Sequence, residues 1–535
     1  MKLLVTDELS KEGLEMLRRD SGVEVEVRPH LTHEELLRII PEYEGIIIRS
    51  GTRVTADVID AGKNLKVIGR AGVGVDNVDV DHATIRGILV MNTPAANIIS
   101  AAEHTMAMIL TLARNIVLAD ASLKSGKWER GKFTGMELSG KTLTIIGIGR
   151  VGGEVAKRAK SFQMRLIGYD PFISPETAVK VGVRLLPLDR ALEEADVVTI
   201  HAPLTPSTHH ILGKEQLKLL KPGAILVNCA RGGLVDEEAL FEALKSKKIA
   251  GAAIDVFEKE PPTGSKLLEL PNVVVTPHLG ASTREAQEKV SLEMAEHVKM
   301  FLAEHKITNA VNAPVGKVDP KVVPFIPIAE KLGSFAFQLV DGPIRRIEVT
   351  CSGELASLDT RMITISAVIG ALSNVTGENT NIINANAIAK EKGIQVIEAK
   401  SEEASHHLNT VSVTIHSDGL QREVRGTAFP SDEPRLLGVD GFDVDMPLEG
   451  DFIMTAHNDV PGVIGKAGTV LGGRGINIAR MGVGRESRGG RALMLLSVDD
   501  PASAEALDEL RGLGNFYEVR FIRLSDIKPK EYMML

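Results

Sequence analysis

The stretch "KTLTIIGIGRVGGEVAKRAKSF", residues 141–162, constrains the fold more than any other part of the 535-residue chain. An apolar strand runs straight into Gly147, Gly149 and Gly152, and a helical pattern follows at once, opened by Arg150 and Val151. The first glycine permits a tight turn, the second lets backbone approach a pyrophosphate, and the third lets helix pack on strand. The helix N-terminus then faces the anion. Asp170 closes the next strand, "RLIGYDP", 18 residues after Gly152 (170 − 152). That is near the roughly 20-residue spacing of an acid that binds the adenosine ribose hydroxyls. An acid there disfavours a 2′-phosphate, so the expected cofactor is NAD rather than NADP.

Around this unit, apolar strands alternate with helical patterns. "KLLVTD", "VEVEVRP", "GIIIRS", "LKVIGRAG" and "ILVMNTP" occupy residues 1–97. A long helical pattern without Pro or internal Gly, "IISAAEHTMAMILTLARNIVLADASLKSG", leads into the glycine loop. "DVVTIHAP", "AILVNCARGG", "AGAAIDVF" and "NVVVTPHLG" then follow. Alternation of this kind means parallel sheets covered by helices, and two such units in series imply a cleft between them. The expected fold class is α/β. Two Rossmann-like doubly wound domains come first, then an α+β segment over 317–449 and a small ferredoxin-like module over 450–524. "NAPVG" at 312–316 reads as a linker.

The net charge of −9 advertises no basic face to nucleic acid or anionic lipid, so an anionic small substrate must be held by a few local arginines. Cys229 and Cys351 are the only cysteines, which excludes a disulfide framework and a Cys-rich metal site and fits a reducing compartment. The start "MKLLVTDELSKEG" has no long apolar core, and no apolar stretch reaches the roughly 18 residues of a membrane span. A cytoplasmic protein without nucleic-acid, membrane or metal partners is expected.

Three charged groups sit at strand ends of the second unit: Arg231 in "VNCARGG", Glu260 in "DVFEKEPP" and His278 in "TPHLGAS". Ligands of open α/β sheets bind outside the carboxyl ends of strands, so the three can converge on one crevice. A histidine there can accept a proton near neutral pH, and a carboxylate beside it can fix the imidazole tautomer. An arginine can grip a carboxylate bidentately and polarise a neighbouring oxygen.

In order, "GRAGVGVDNVD", "GIGRVGGEVA", "YDP", "VNCARGG", "DVFEKEPP" and "PHLGAST" resemble the D-isomer-specific 2-hydroxy acid dehydrogenases over about 310 residues. The spacings of 29 (260 − 231) and 47 (278 − 231) residues also match that family's Arg–Glu–His triad. The resemblance implies that His278 takes the C2 hydroxyl proton while hydride leaves to NAD, that Glu260 holds His278, and that Arg231 binds the substrate carboxylate. It places cofactor contacts at Val73, Arg150, Val151, Asp170, Ala202, Cys229, Ala230, Arg231, Asp255 and the loop His278, Leu279, Gly280 and Ala281. At 73, relatives often carry Thr. Arg49, with Ser50, and Arg70 look like holders of a substrate phosphate and carboxylate, which implies 3-phosphoglycerate as substrate. Arg130 in "KWERGKF" would reach a neighbour's active site across a dimer interface. Family members return to the first domain after the last cofactor strand, so that domain is expected at 1–97 plus 283–310, with the NAD-binding domain at 98–282.

"HNDVPGVIGKAGTVLGGRGINIARM" looks like an ACT domain, a module that binds amino acids at subunit interfaces. By resemblance, His457, Asp459 and Asn477 would grip an effector, with L-serine expected, in a homodimer or homotetramer. The segment 317–449 occupies the place of an intervening, allosteric-substrate-binding type domain. Two other readings stay open: a glyoxylate or hydroxypyruvate reductase, and a non-enzymatic NAD-sensing protein of co-repressor type. The Arg–Glu–His set disfavours the second, and Arg49, Arg70 and the C-terminal extension disfavour the first.

Overall fold

A computed structural model of the chain describes residues 1–19, 22–313, 318–376, 380–402, 409–429 and 433–524. Residues 314–316 of the expected linker lie outside them, as does residue 317, where the third segment was expected to begin.

Five parallel strands make the first sheet: β1 (Lys2–Val5), β2 (Glu24–Val27), β3 (Gly45–Ile48), β4 (Val67–Arg70) and β5 (Leu89–Met91). Their order is β2-β1-β3-β4-β5. β3 is buried along its whole length, because helices cover both faces of a parallel sheet and leave no solvated side for polar residues. The order reverses between β1 and β3, so the residues just beyond them, Asp7 and Arg49, open onto a crevice.

The second sheet contains β6 (Thr142–Ile146), β7 (Arg165–Tyr169), β8 (Arg184–Leu185), β9 (Val197–Ile200), β10 (Ile225–Asn228), β11 (Gly251–Ile254) and β12 (Val273–Val275). Its order, β12-β11-β10-β9-β6-β7-β8, reverses between β6 and β9, where the glycine loop leaves β6. The chain then returns to the first sheet. The Arg284–Glu304 helix lays Val290, Met294 and Val298 on the same core as Leu3, Val5 and Val67.

The long pattern before the glycine loop is two helices, Ile98–Ala113 and Ile116–Lys124, bent by 61°. Asn115 turns left-handed (φ 51°) at the break. The Ala113 carbonyl there accepts the amide of Met136 at 2.9 Å. No Pro or Gly marks this break, because the segment that ends the helix comes from more than 20 residues further along. Among the described residues no single helix is long and apolar enough to cross a membrane.

A third sheet, β14-β13-β15-β16-β17-β18, is built from β13 (Ile344–Gly353), β14 (Gln395–Ser401), β15 (Asn409–Ser417), β16 (Leu420–Ala428), β17 (Pro434–Val439) and β18 (Phe442–Pro447). The fourth, antiparallel sheet runs β20-β21-β19-β22, from β19 (Asp451–Asn458), β20 (Ile478–Arg485), β21 (Arg491–Val498) and β22 (Phe516–Ile522). With the helices Val463–Gly473 and Ala504–Arg511 this is the βαββαβ order of a ferredoxin-like module. Alternation along β19 joins the two units. Phe452 and Met454 enter the core of the third unit, while Ile453 packs under the module's own helices. The third unit also reaches the first. Asn381 Nδ2 donates to the Gly87 carbonyl at 3.0 Å, and Ile383 is buried in the first core.

Candidate active site

Residues of the first two units meet at a cleft of about 370 Å³ whose walls include Val73, Asp76, Val151, Ala202, Arg231 and His278. The glycine loop forms one side. Gly147 is left-handed (φ 87°), and a Cβ on it would lie 2.7 Å from the His201 carbonyl oxygen. A Cβ on Gly152 would lie 2.1 Å from the Gly147 oxygen, so only glycine lets the helix sit this close to the strand. Gly149 has nothing within 4 Å of its Cβ position. It caps the Arg150–Ser161 helix and leaves that N-terminus open to an incoming anion. These residues fit a dinucleotide.

Asp170 does more than the sequence implied. Its carboxylate accepts the amides of Ile148 and Phe172, both at 2.9 Å, and so ties the glycine loop to the end of β7. Each oxygen keeps a lone pair for a ribose hydroxyl. Val73 lines the cleft and uses its carbonyl to accept Asn92 Nδ2 at 2.6 Å. Cys229 and Ala230 line it too, and burial pushes the Cys229 thiol up to about 12, so it is a neutral group at physiological pH.

Glu260 and His278 come together. His278 Nδ1 lies 2.9 Å from Glu260 Oε2, and Glu260 Oε1 accepts the amide of Phe257 at 3.2 Å. Burial pulls the Glu260 carboxyl up, but the hydrogen bond and charge of His278 outweigh it and hold the group below its ordinary value. The pair therefore fixes the proton on Nδ1 and leaves Nε2 as the basic nitrogen. His278 itself is left-handed (φ 56°), a strained conformation for a residue with a side chain.

Arg231 emerges from a turn clamped by Asn228. The Asn228 side chain donates to the Arg231 carbonyl (2.9 Å) and accepts the amide of Ala230 (3.0 Å). Its guanidinium lies 3.3 Å from Asp76, across the cleft. Arg70, at the end of β4, is nearby. Burial, with the charges of Arg231 and Arg49, pushes it down to about 10, and it remains a cation at neutral pH. Its buried Nε has no protein partner. Arg49 donates to the Glu8 carbonyl at 3.3 Å, its amide rests on Asp7 at 2.6 Å, and Ser50 beside it is exposed. Arg231 lines the cleft, and Arg70 and Arg49 lie close enough for their charges to act on one another, a grouping that suits an anion with more than one charged group.

Asp255, expected to touch the cofactor, is wholly buried, and its carboxylate accepts the Thr276 hydroxyl (2.5 Å) and the amides of Leu279 (2.7 Å) and Gly280 (2.9 Å). It builds the loop that faces the cleft. His457, Asp459 and Asn477 do not converge within one chain. Asp459 accepts Arg485 at one end of β20, whereas Asn477 donates to Asp499 at the other end, about 26 Å away at ~3.3 Å per residue. His457 is buried against Phe516, and burial lowers its pKa. Arg130 stands in the exposed turn Arg130–Phe133, outside the cleft walls of its own chain.

Asp76, Ser100 and His104 escaped the sequence reading. Asp76 was hidden inside a motif, and the partners of Ser100 and His104 lie about 180 residues away.

Residues 106–280 match the model of the D-isomer specific 2-hydroxyacid dehydrogenase NAD binding domain, 321–440 that of the D-3-phosphoglycerate dehydrogenase intervening domain, and 452–515 the ACT domain. A D-3-phosphoglycerate dehydrogenase of Archaeoglobus fulgidus is 46% identical over 98% of this chain and 100% of its own length. One from Bacillus subtilis is 40% identical over 98% and 99%. Among solved structures, the TT0316 protein of Thermus thermophilus is similar with a TM-score of 0.54 and 40% identity over 58% of this chain and all of its own. An apo D-lactate dehydrogenase of Escherichia coli gives 0.53 and 30% over the same shares.

Proposed function

The chain belongs to the D-3-phosphoglycerate dehydrogenases, within the D-isomer specific 2-hydroxyacid dehydrogenase family, and on that premise we propose how its residues divide the reaction. The reaction is the oxidation of D-3-phosphoglycerate to 3-phosphooxypyruvate, the first step of L-serine biosynthesis, with NAD as oxidant. The observation that carries the assignment is that His278, paired with Glu260, lines the same cleft as Arg231, whose charge, with that of Arg49, acts on Arg70.

Arg231 takes the substrate carboxylate and polarises the C2 oxygen. His278 Nε2 accepts the proton of the C2 hydroxyl, and Glu260 stabilises the imidazolium that results. Arg70, Arg49 and Ser50 hold the phosphate. NAD would be held by the glycine loop, Asp170 and the wall of Val151, Ala202 and Ala230, and would supply the hydride acceptor for C2. Cys229, with its neutral thiol, and Ala230 present an uncharged wall on that side. Rates of NAD reduction with 3-phosphoglycerate and with glycerate test this reading. The phosphorylated substrate is expected to be favoured by at least about a hundredfold in kcat/KM, and equal values would remove the phosphate assignment.

The domain division follows the same reading: substrate binding at 1–97 and 283–310, NAD binding at 98–282, an intervening domain at 317–449 and a regulatory ACT domain at 450–524. L-serine is the proposed effector, in a homo-oligomer located in the cytoplasm. β20 is the edge strand of its sheet. Pairing it antiparallel with β20 of a second copy sets Asn477 of one chain beside His457 and Asp459 of the other. That arrangement accounts for three ligand-type residues lying at opposite ends of one strand.

A further inference from the structure

The loop that carries His278 nests on a single residue. The Asp255 carbonyl accepts the amide of His278 at 2.9 Å, and its carboxylate accepts the next two amides, of Leu279 and Gly280. Three successive N–H groups aimed at one aspartate hold His278 in its left-handed conformation. A buried carboxylate without enough hydrogen-bond donors would take up a proton and hold such amides less tightly. Here burial does raise the Asp255 carboxyl, but His104 and Thr276, with the loop amides, outweigh it and hold it below its ordinary value. His104 Nε2 lies 3.2 Å from Asp255 Oδ1 and 3.2 Å from Thr276 Oγ1. One turn earlier on the same helix, Ser100 Oγ donates to the Gly280 carbonyl at 2.9 Å. Residues four apart share a helix face, so the Ile98–Ala113 helix grips the loop at two points.

We propose that His104 is a positioning residue for the oxidation: through Asp255 it fixes the loop that aims His278 at the substrate hydroxyl. The proposal rests on His278 being the base. A small misplacement of a base slows proton transfer without loosening a substrate held by arginines elsewhere.

The test is steady-state kinetics of the full-length His104→Ala, His104→Gln, Ser100→Ala and His278→Ala proteins, each checked for folding by circular dichroism. Each is run with 3-phosphoglycerate carrying hydrogen or deuterium at C2. His104→Ala is expected to lower kcat about tenfold, keep KM for 3-phosphoglycerate within about twofold, and raise the isotope effect on kcat. His104→Gln keeps an N–H donor at similar reach and is expected to recover most of the loss. Ser100→Ala should move in the same direction by about two- to threefold. A folded His104→Ala protein with parental kcat and isotope effect overturns the proposal. So does a glutamine variant no better than alanine with an unchanged isotope effect. Should His104→Ala not fold, parental values in Ser100→Ala overturn it instead. Parental rates in His278→Ala defeat the base assignment and this proposal together. Collapse of His278→Ala beside a parental His104→Ala defeats this proposal alone.

Discussion

Asp76 Oδ2 lies 3.3 Å from Arg231 Nε, an ion pair that joins the two catalytic units across the cleft. It occupies the guanidinium assigned to the substrate carboxylate, so an incoming anion has to displace it. Asp76 is mostly exposed, and such pairs contribute only ~0.2–1 kcal/mol. Replacing it with Asn is expected to lower KM for 3-phosphoglycerate about two- to fivefold, with kcat within about twofold. A rise in KM together with a fall in kcat would show instead that Asp76 orients Arg231 during turnover.

Removing the base should separate chemistry from binding. His278→Ala is expected to lower kcat by about 10²–10⁴-fold, while NAD affinity, read by fluorescence titration, stays within a few fold. Glu260→Gln keeps the shape but not the charge beside Nδ1, and a smaller loss, about 10–100-fold, is expected. Equal NAD affinity and unchanged kcat in either variant would remove that residue from the mechanism.

Arg70 is a half-buried cation whose buried Nε has no protein partner, an arrangement suited to an oxyanion. Arg70→Met fills the same space without charge. It is expected to raise KM for 3-phosphoglycerate about 30-fold or more, because a charge-assisted contact is worth ~1.5–3 kcal/mol. The rate with glycerate should change far less if the phosphate is what Arg70 holds.

Acid sensitivity has a defined sign. The Asp255 and Glu260 carboxyls are held below their ordinary values, so each adds stability that is complete above roughly pH 4–4.5 and is lost as pH falls through its lower folded value. Differential scanning calorimetry should show a melting temperature that holds from pH 7 to about 5 and falls below about 4. Asp255→Asn is expected to melt a few degrees lower at pH 7 and to show a shallower acid decline. An unchanged acid decline would mean other carboxylates set it.

The effector site can be tested by complementation. If it spans two copies, Asn477→Ala and Asp459→Ala should each abolish serine inhibition alone. A mixed pair of the two variants should recover part of it, because both changes fall in one of the two sites at the shared interface and the other site is intact. No recovery in the mixed oligomer, or no serine inhibition in the parent, would defeat that arrangement.

Sequence alone reached the glycine loop and Arg231, Glu260 and His278 because chemistry restricts which residue can stand at those strand ends. Gly147 is a clear example, since its turn admits no Cβ. What escaped depends on partners remote in the chain. The helix break at Asn115 follows from Met136, which takes the Ala113 carbonyl. Asp255 could be placed near the cofactor but not seen to be saturated by Thr276, Leu279 and Gly280, since two strand-end motifs had to fold together first. Asn477 illustrates a different limit. A spacing of 20 residues from His457 (477 − 457) carries no statement about which end of a strand each occupies.

Ile383, in the third unit, is 6% exposed inside the core that also holds Leu3 and Met294, and Asn381 closes over Gly87 beside it. Burying a side chain of that size is worth about 1.5–3 kcal/mol. A chain cut after residue 313 would keep every catalytic residue and still leave an empty apolar socket facing water. The catalytic half of this protein is therefore not a short dehydrogenase with regulatory parts attached. Without Ile383 it is a body with a plug missing, and a shortened version gives up stability of that order unless the seat is refilled.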